Sequence, residues 1–324
     1  MAPLLALDKL TTAYISEGGR RVVRAVDGVS LRLDAGETLG IVGESGSGKT
    51  TLALSILRLL PPAGRIVTGS LTFEGEDLLA KSPAEMRRIR GKRIAMILQD
   101  PMASLNPLFT IGDQVGEPLR VHENVPRRSA TRKALDLLKS VRIAAPETRL
   151  REYPHQMSGG MRQRIVGAIA ISCEPRLLIA DEPTTSLDLT IQAQYLRLLR
   201  ELQREHGLAL IFITHNLGIV AKMCDQVAVM YAGRLVESGP VERIFDAPLH
   251  PYTQALLASI PKLGDPSARL LAIDGQPPDL SALPLGCSFH PRCPKAMDRC
   301  REGEVPEVNA GGHTSRCWLS SAAP

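Results

Sequence analysis

Eight residues, Gly43-Glu-Ser-Gly-Ser-Gly-Lys-Thr50, constrain the fold of this chain more than any other segment. Ahead of them Glu37-Thr-Leu-Gly-Ile-Val-Gly43 reads as a short buried strand, and behind them Thr51 to Leu60 is apolar at helical spacing until Pro61-Pro62. A flexible Gly/Ser linker does not sit between a strand and a helix. A glycine-rich turn in that place lets the backbone wrap inward, so that successive N–H groups and the positive end of the helix favour the same anion. The spacing Gly-x4-Gly-Lys-Thr then assigns the chemistry. Lys49 reaches the β and γ phosphates of a nucleoside triphosphate, and the hydroxyl of Thr50 binds Mg²⁺. Gly43, Ser45, Gly46, Ser47, Gly48, Lys49, Thr50 and Thr51 are the expected nucleotide contacts.

The rest of the chain supplies a scaffold for such a P-loop. Its 324 residues, 44% hydrophobic, suffice for one large domain or two ordinary ones. Leu5 to Leu10, Val22 to Val29 and Leu31 to Leu33 read as a small antiparallel layer with a turn at Gly18-Gly19. Ser104 to about Val166 is helical, with Ala134, Leu135, Leu138 and Val141 along one face. Strands return at Leu177 to Ala180 and Leu208 to Thr214, separated by a helical stretch from Ile191 to Glu205. Alternation of this kind predicts a parallel sheet covered by helices. No internal repeat is present, so a single ATPase module is expected.

Other functions are disfavoured by composition. The net charge of +5 comes from basic residues interleaved with 34 acidic ones, and aromatic residues make up 3%, which leaves few stacking platforms for nucleic acid. No apolar run approaches the roughly 18 to 20 residues that span a bilayer. The first residues, Met-Ala-Pro-Leu-Leu-Ala-Leu-Asp, lack a basic leader and a cleavage site, so the cytosol is the expected compartment.

A P-loop alone does not separate transporters from GTPases, kinases or helicases. Downstream, Leu177-Leu-Ile-Ala-Asp-Glu182 is an apolar strand ending in two carboxylates. Asp181 would hold the Mg²⁺ shell, and Glu182 would polarise the attacking water. Between the two motifs stands Met157-Ser-Gly-Gly-Met-Arg-Gln-Arg164, which closely resembles the signature motif of ABC ATPases, with Met161 where that family usually carries glutamine. The resemblance implies that Ser158, Gly159 and Gly160 bind the γ-phosphate of ATP held by an opposite subunit in a head-to-tail dimer. Further positions match in order over about 260 residues. Tyr14 matches the aromatic that stacks on adenine, Gln99 the Q-loop residue near Mg²⁺ and the water, Ser186-Leu-Asp188 the D-loop, and His215 the switch histidine. The fold implied is an α/β ABC-type P-loop NTPase. It has a mixed or parallel core sheet, an N-terminal antiparallel β layer, a helical subdomain at about 102–166 within an ATPase domain of 1–262, and a small cysteine-rich extension over 263–324.

Gln99-Asp-Pro-Met-Ala-Ser-Leu-Asn-Pro107 and Pro248-Leu-His-Pro-Tyr-Thr-Gln-Ala-Leu-Leu257 resemble the oligopeptide and dipeptide importer branch. Pro101, Met102 and Leu105 are candidates for a groove that takes a membrane subunit's coupling helix. In the tail, after Pro277-Pro278 and Pro284, stand Cys287, Cys293, Cys300 and Cys317. Four thiolates suffice for a metal site, and their wide spacing favours neither zinc nor an iron–sulfur cluster; the resemblance implies a 4Fe-4S cluster. Cys173 and Cys224 read as buried structural thiols. The partners implied are a second, paralogous ATPase subunit, two membrane-spanning permease subunits and an extracytoplasmic peptide-binding protein. That assembly would hold the chain at the cytoplasmic face of the cell membrane, with no nucleic acid involved. The same motor could instead serve nickel, glutathione or another small solute, and the alternative without a membrane is a soluble ABC ATPase acting on DNA or ribosomes.

Overall fold

The computed structural model describes residues 2–19, 21–185, 187–260 and 272–320. Ser186 of the expected D-loop and the expected domain boundary at 262/263 lie outside the described residues. In chain order the strands are β1 (Leu5–Ile15), β2 (Val22–Leu33), β3 (Thr38–Val42), β4 (Gly64–Phe73), β5 (Glu76–Asp77), β6 (Ile94–Ile97), β7 (Leu177–Asp181), β8 (Ala209–Ile213), β9 (Gln226–Tyr231), β10 (Arg234–Pro240), β11 (Glu307–Ala310) and β12 (His313–Arg316). The chain divides into two compact units.

The first unit comprises Met1–Leu33, Thr38–Leu79 and Ile213–Pro324. It holds an antiparallel sheet in the order β2-β1-β4-β5, with Leu5 opposite Leu33 and Ile15 opposite Val22. Leu5 and Leu7 face the core in strict alternation until Lys9, which adopts φ 46° and bulges the strand, after which Leu10 takes over the buried face. Gly69 lies across from the bulge at φ +95°, where a Cβ would sit 2.5 Å from the Lys9 carbonyl oxygen, so only glycine fits. A second array in the same unit runs β11-β12-β10-β9-β3, with β3 parallel to β9 and the other pairs antiparallel. β3 is buried along its whole length, which is why it reads as an unbroken apolar run.

The second unit comprises Asp34–Glu37 and Ala80–Phe212. Its strands lie in the order β8-β7-β6, with β6 parallel to β7. The expected helical region is resolved into Pro101–Ser104, Ile111–Glu123, Arg127–Ser140, Pro146–Arg149 and Gly159–Ile171. It is broken where Asn124 and Ala145 take left-handed conformations. Leu119, Ala130 and Cys173 form a core with Val125 and Leu137 packed against it, while Ala134, Leu138 and Val141 are also buried and Leu135 is half-buried. The helix Leu189–His206 follows β7 and buries Tyr195, Leu198, Leu199 and Leu202.

Several elements differ from the sequence reading. The helix after the phosphate loop covers Lys49–Ile56 and does not continue to Leu60. It ends in a Schellman arrangement: Arg58 adopts φ 50°, its amide donates to Ser55 and the Leu59 amide donates to Leu54. Arginine stands where glycine usually marks such an end, so the stop carried no sequence signal. The β9–β10 hairpin was hidden in the same way, because its two-residue turn places Ala232 at φ 48° ahead of Gly233 at φ 81°. β4 was not legible because half of its residues are exposed, four of them in an unbroken run at its centre.

The C-terminal segment is held by the sheet and by one buried carboxylate. β12 pairs with β10, and β11 pairs with β12 through a Gly311-Gly312 turn. Glu237 on β10 is 1% exposed. It accepts the Leu249 amide at 2.7 Å and the His250 amide at 2.9 Å, and its Oε1 lies 2.7 Å from His313 Nε2. Removing that acceptor strands three donors, two of them buried. Glu237→Ala is therefore expected to lower stability by about 3 kcal/mol and to expose the segment after Pro240 to limited proteolysis, both read against urea unfolding of the parent chain.

Candidate nucleotide site

The phosphate loop is shaped by two backbone oxygens that leave no room for side chains. Gly43 sits at φ +152°, where a Cβ would lie 2.2 Å from the Met230 carbonyl oxygen, and Gly48 at φ +102°, where it would lie 2.1 Å from that of Ala25. Gly46, at φ +77°, faces open space. The loop therefore bends because β2 and β9 press on it, and its tip stays clear. Inside the bend the buried ammonium of Lys49 donates to the Gly43 and Glu44 carbonyls, both at 2.8 Å, and to Ser47 Oγ at 3.3 Å. The helix Lys49–Ile56 has no side-chain cap and no acidic residue in its first turn, so its amino end keeps an affinity for anions.

The neighbours of the loop fall into place around this bend. Ser45 and Thr50 are exposed, and Ser47 is buried. Half-buried Tyr14, at the end of β1, lies with its hydroxyl 3.2 Å from Thr51 Oγ1, so its ring borders the first turn of the helix. The Thr214 amide donates to the Ile41 carbonyl at 3.2 Å, which brings His215 beside the end of β3 from which the loop departs.

The second unit assembles the other group of candidates. Asp181, the last residue of β7, is 2% exposed. Glu182 follows at φ 45°, a left-handed conformation that is strained for a glutamate and aims its side chain off the strand. Its Oε2 accepts from Gln99 Nε2 at 3.2 Å and from Thr185 Oγ1 at 2.9 Å. Gln99 and Glu182, singled out separately in sequence, are thus in contact, and Thr185 is a partner that sequence did not point to. Ser158 caps the helix Gly159–Ile171 by accepting the Met161 amide. Gly159 faces open space, whereas a Cβ on Gly160 would come within 2.8 Å of Ile191. Asp188 caps the helix Leu189–His206 by accepting the Thr190 and Ile191 amides. The amino ends of these two helices therefore adjoin.

The four C-terminal cysteines line one small cavity together with His250, Phe289 and Trp318. Burial pushes the Cys287 thiol up to about 11 and raises Cys293 and Cys317, which favours neutral thiols. No group of three or more His, Cys, Asp or Glu among the described residues converges as a preformed metal cage. The four thiols expected to ligate a 4Fe-4S cluster thus share one cavity, without forming a preformed cage.

Sequence comparison shows the family of this chain. The profile of the family described as ABC transporter matches residues 26–185, and a dipeptide transport ATP-binding protein of Bacillus subtilis is 49% identical over 323 residues, 98% of this chain and 95% of that protein. The chain belongs to the ABC transporter ATPase family. A probable peptide ABC transporter ATP-binding protein of Sinorhizobium fredii is 51% identical over 322 residues, covering 98% of this chain and 95% of its own length. The profile described as the oligopeptide/dipeptide transporter C-terminal region matches residues 236–300. Among solved structures, an ATP-binding cassette in a dimeric post-hydrolysis state bound to ADP and Pi is 26% identical, with a TM-score of 0.66, and covers 73% of this chain and 98% of its own. A component of an ABC transporter complex from Clostridium perfringens is 27% identical with a TM-score of 0.65, covering 76% of this chain and 92% of its own. The phosphate loop and β7 of this ABC ATPase both fall inside the matched 26–185 segment. Arg292 and Tyr252, which hold Glu44 in the loop, fall inside the matched C-terminal region.

Proposed function

We infer that this chain is the ATP-hydrolysing subunit that energises import of dipeptides or oligopeptides by a multisubunit ABC transporter. The observation that carries the reading is the phosphate loop, with its glycines pressed into shape and Lys49 buried at its centre. The peptide assignment is supported by the C-terminal profile match and by relatives whose names specify peptide or dipeptide transport.

ATP binding is an exchange of acceptors. Lys49 already holds three oxygens, so a triphosphate replaces loop carbonyls with phosphate oxygens at no loss of hydrogen bonds and with a gain in charge pairing. Thr50, Gln99 and Asp181 are the oxygen donors we assign to Mg²⁺, which would neutralise charge on the phosphates. Glu182 is the group we assign to orienting the attacking water, with Gln99 and Thr185 fixing its carboxylate. Tyr14 is assigned to the adenine face and His215 to the γ-phosphate. Ser158, Gly159, Gly160 and Asp188 are assigned to a composite site formed with a second ATPase subunit. We further propose an ATPase domain over 1–262, with its helical subdomain at about 102–166, and an extension over 263–324. Two permease subunits would hold this subunit at the cytoplasmic face of the membrane, and an extracytoplasmic binding protein would deliver peptide on the other side. No helix among the described residues is long and apolar enough to cross a bilayer.

The four-cysteine cavity remains a candidate for a 4Fe-4S cluster on donor chemistry alone, and no step of the ATPase reaction depends on it. Anaerobically purified protein should then contain iron and acid-labile sulfide at about four each per chain; a preparation with neither would remove the cluster. For the reaction, Glu182→Gln in the solubilised transporter should cut ATP turnover roughly 10²-fold to 10³-fold while leaving MgATP affinity within about twofold. Turnover at the parent rate would take Glu182 out of the chemistry.

A further inference from the structure

The second residue of the phosphate loop, Glu44, carries a negative charge within the segment assigned to a triphosphate, and like charges repel. Its charge is met from the C-terminal region. Arg292 Nη1 donates to Oε2 at 2.7 Å and Nη2 to Oε1 at 3.0 Å, a planar fork on a planar carboxylate. The other guanidinium donors are used as well: Nε on the Asp274 carbonyl at 2.8 Å, Nη2 on that of Ile273 at 3.2 Å and Nη1 on the Tyr231 hydroxyl at 3.3 Å. All five N–H groups of Arg292 are satisfied, and its side chain is 4% exposed. The hydrogen bonds to Glu44 hold the guanidinium ionised far beyond its ordinary range.

Two further contacts tie the same residue. The Glu44 amide donates to the Tyr252 hydroxyl at 2.9 Å, and its carbonyl receives Lys49 Nζ. Tyr252 is itself wedged among Tyr231 and Phe289, with ring centroids 4.6 Å and 5.3 Å away. Backbone, carboxylate and the catalytic lysine thus meet at Glu44, and the outward strut is Arg292, the neighbour of Cys293.

We propose that Arg292 is a positioning residue for ATP binding: it neutralises and fixes the Glu44 carboxylate so that the loop accepts a triphosphate, which makes nucleotide affinity depend on the docked C-terminal region. This rests on the reading of the loop as the ATP site. A lysine could supply the charge but not the fork, and a glutamine neither.

The test is equilibrium titration of the full-length chain with Mg²⁺ and a fluorescent ATP analogue, with thermal melting of each variant as the folding control. Arg292→Gln should weaken binding about tenfold, because the carboxylate is left unpaired beside the phosphates. Adding Glu44→Gln to it should restore affinity to within about twofold of the parent. Arg292→Lys should lose less and be rescued by the same second change, which keeps the test open if the glutamine variant does not fold. A strut that merely anchors the C-terminal region would lower the melting temperature without moving affinity, or would show no rescue by Glu44→Gln; either result overturns the proposal. A parent chain that binds no analogue, or binding indifferent to Lys49→Ala, would instead overturn the ATP reading and this inference with it.

Discussion

The buried ammonium of Lys49 sets the terms for the rest of the molecule. A lysine that is 7% exposed survives in the interior only if its three donors are met, and here the acceptors are the carbonyls of the loop that carries it. The loop must therefore curl around its own side chain, and that curl needs glycine at 43 and 48, where the backbones of Met230 and Ala25 approach within reach of a missing Cβ. β2 and β9 supply those oxygens, and β3 delivers the chain into the bend. The array of strands in the first unit is in this sense a mould for one turn of backbone.

The second unit is organised around a different constraint, the strained turn at Glu182. β7 is buried to its last residue and ends in Asp181, so the chain must leave the sheet abruptly, and a left-handed glutamate makes that departure. Strain of that kind persists where surrounding contacts hold it, and Gln99 and Thr185 both bond to the carboxylate it displays. The two helix ends capped by Ser158 and Asp188 show the same economy, since residues picked out by motif in the sequence also begin helices. A capping oxygen that accepts a backbone amide leaves the following N–H groups oriented outward.

Much of this was legible because the chemistry is local. Gly43 to Thr50 spells out both a conformation and a charge within eight residues, and β3, β7 and β8 announce themselves as apolar runs. What failed was of two kinds. Arg58 and Ala232 take left-handed conformations without being glycine, so the early end of the helix and the β9–β10 hairpin were hard to read. Long-range partners left no mark: the buried Glu237 that gathers Leu249, His250 and His313, and the Arg292 fork on Glu44, join residues up to 248 positions apart. The C-terminal segment is stapled by strand pairing and a carboxylate, neither of which a short stretch of sequence can show.

The central claim is that ATP bound at this loop drives peptide uptake, and the most direct measurement is import of a radiolabelled dipeptide into cells that lack the chain and are complemented with either the parent or Lys49→Ala. The parent should restore uptake and Lys49→Ala should leave it at the background of the deletion, with both proteins present in equal amount. Uptake that is unaffected by loss of the chain, or restored equally by Lys49→Ala, would contradict the account.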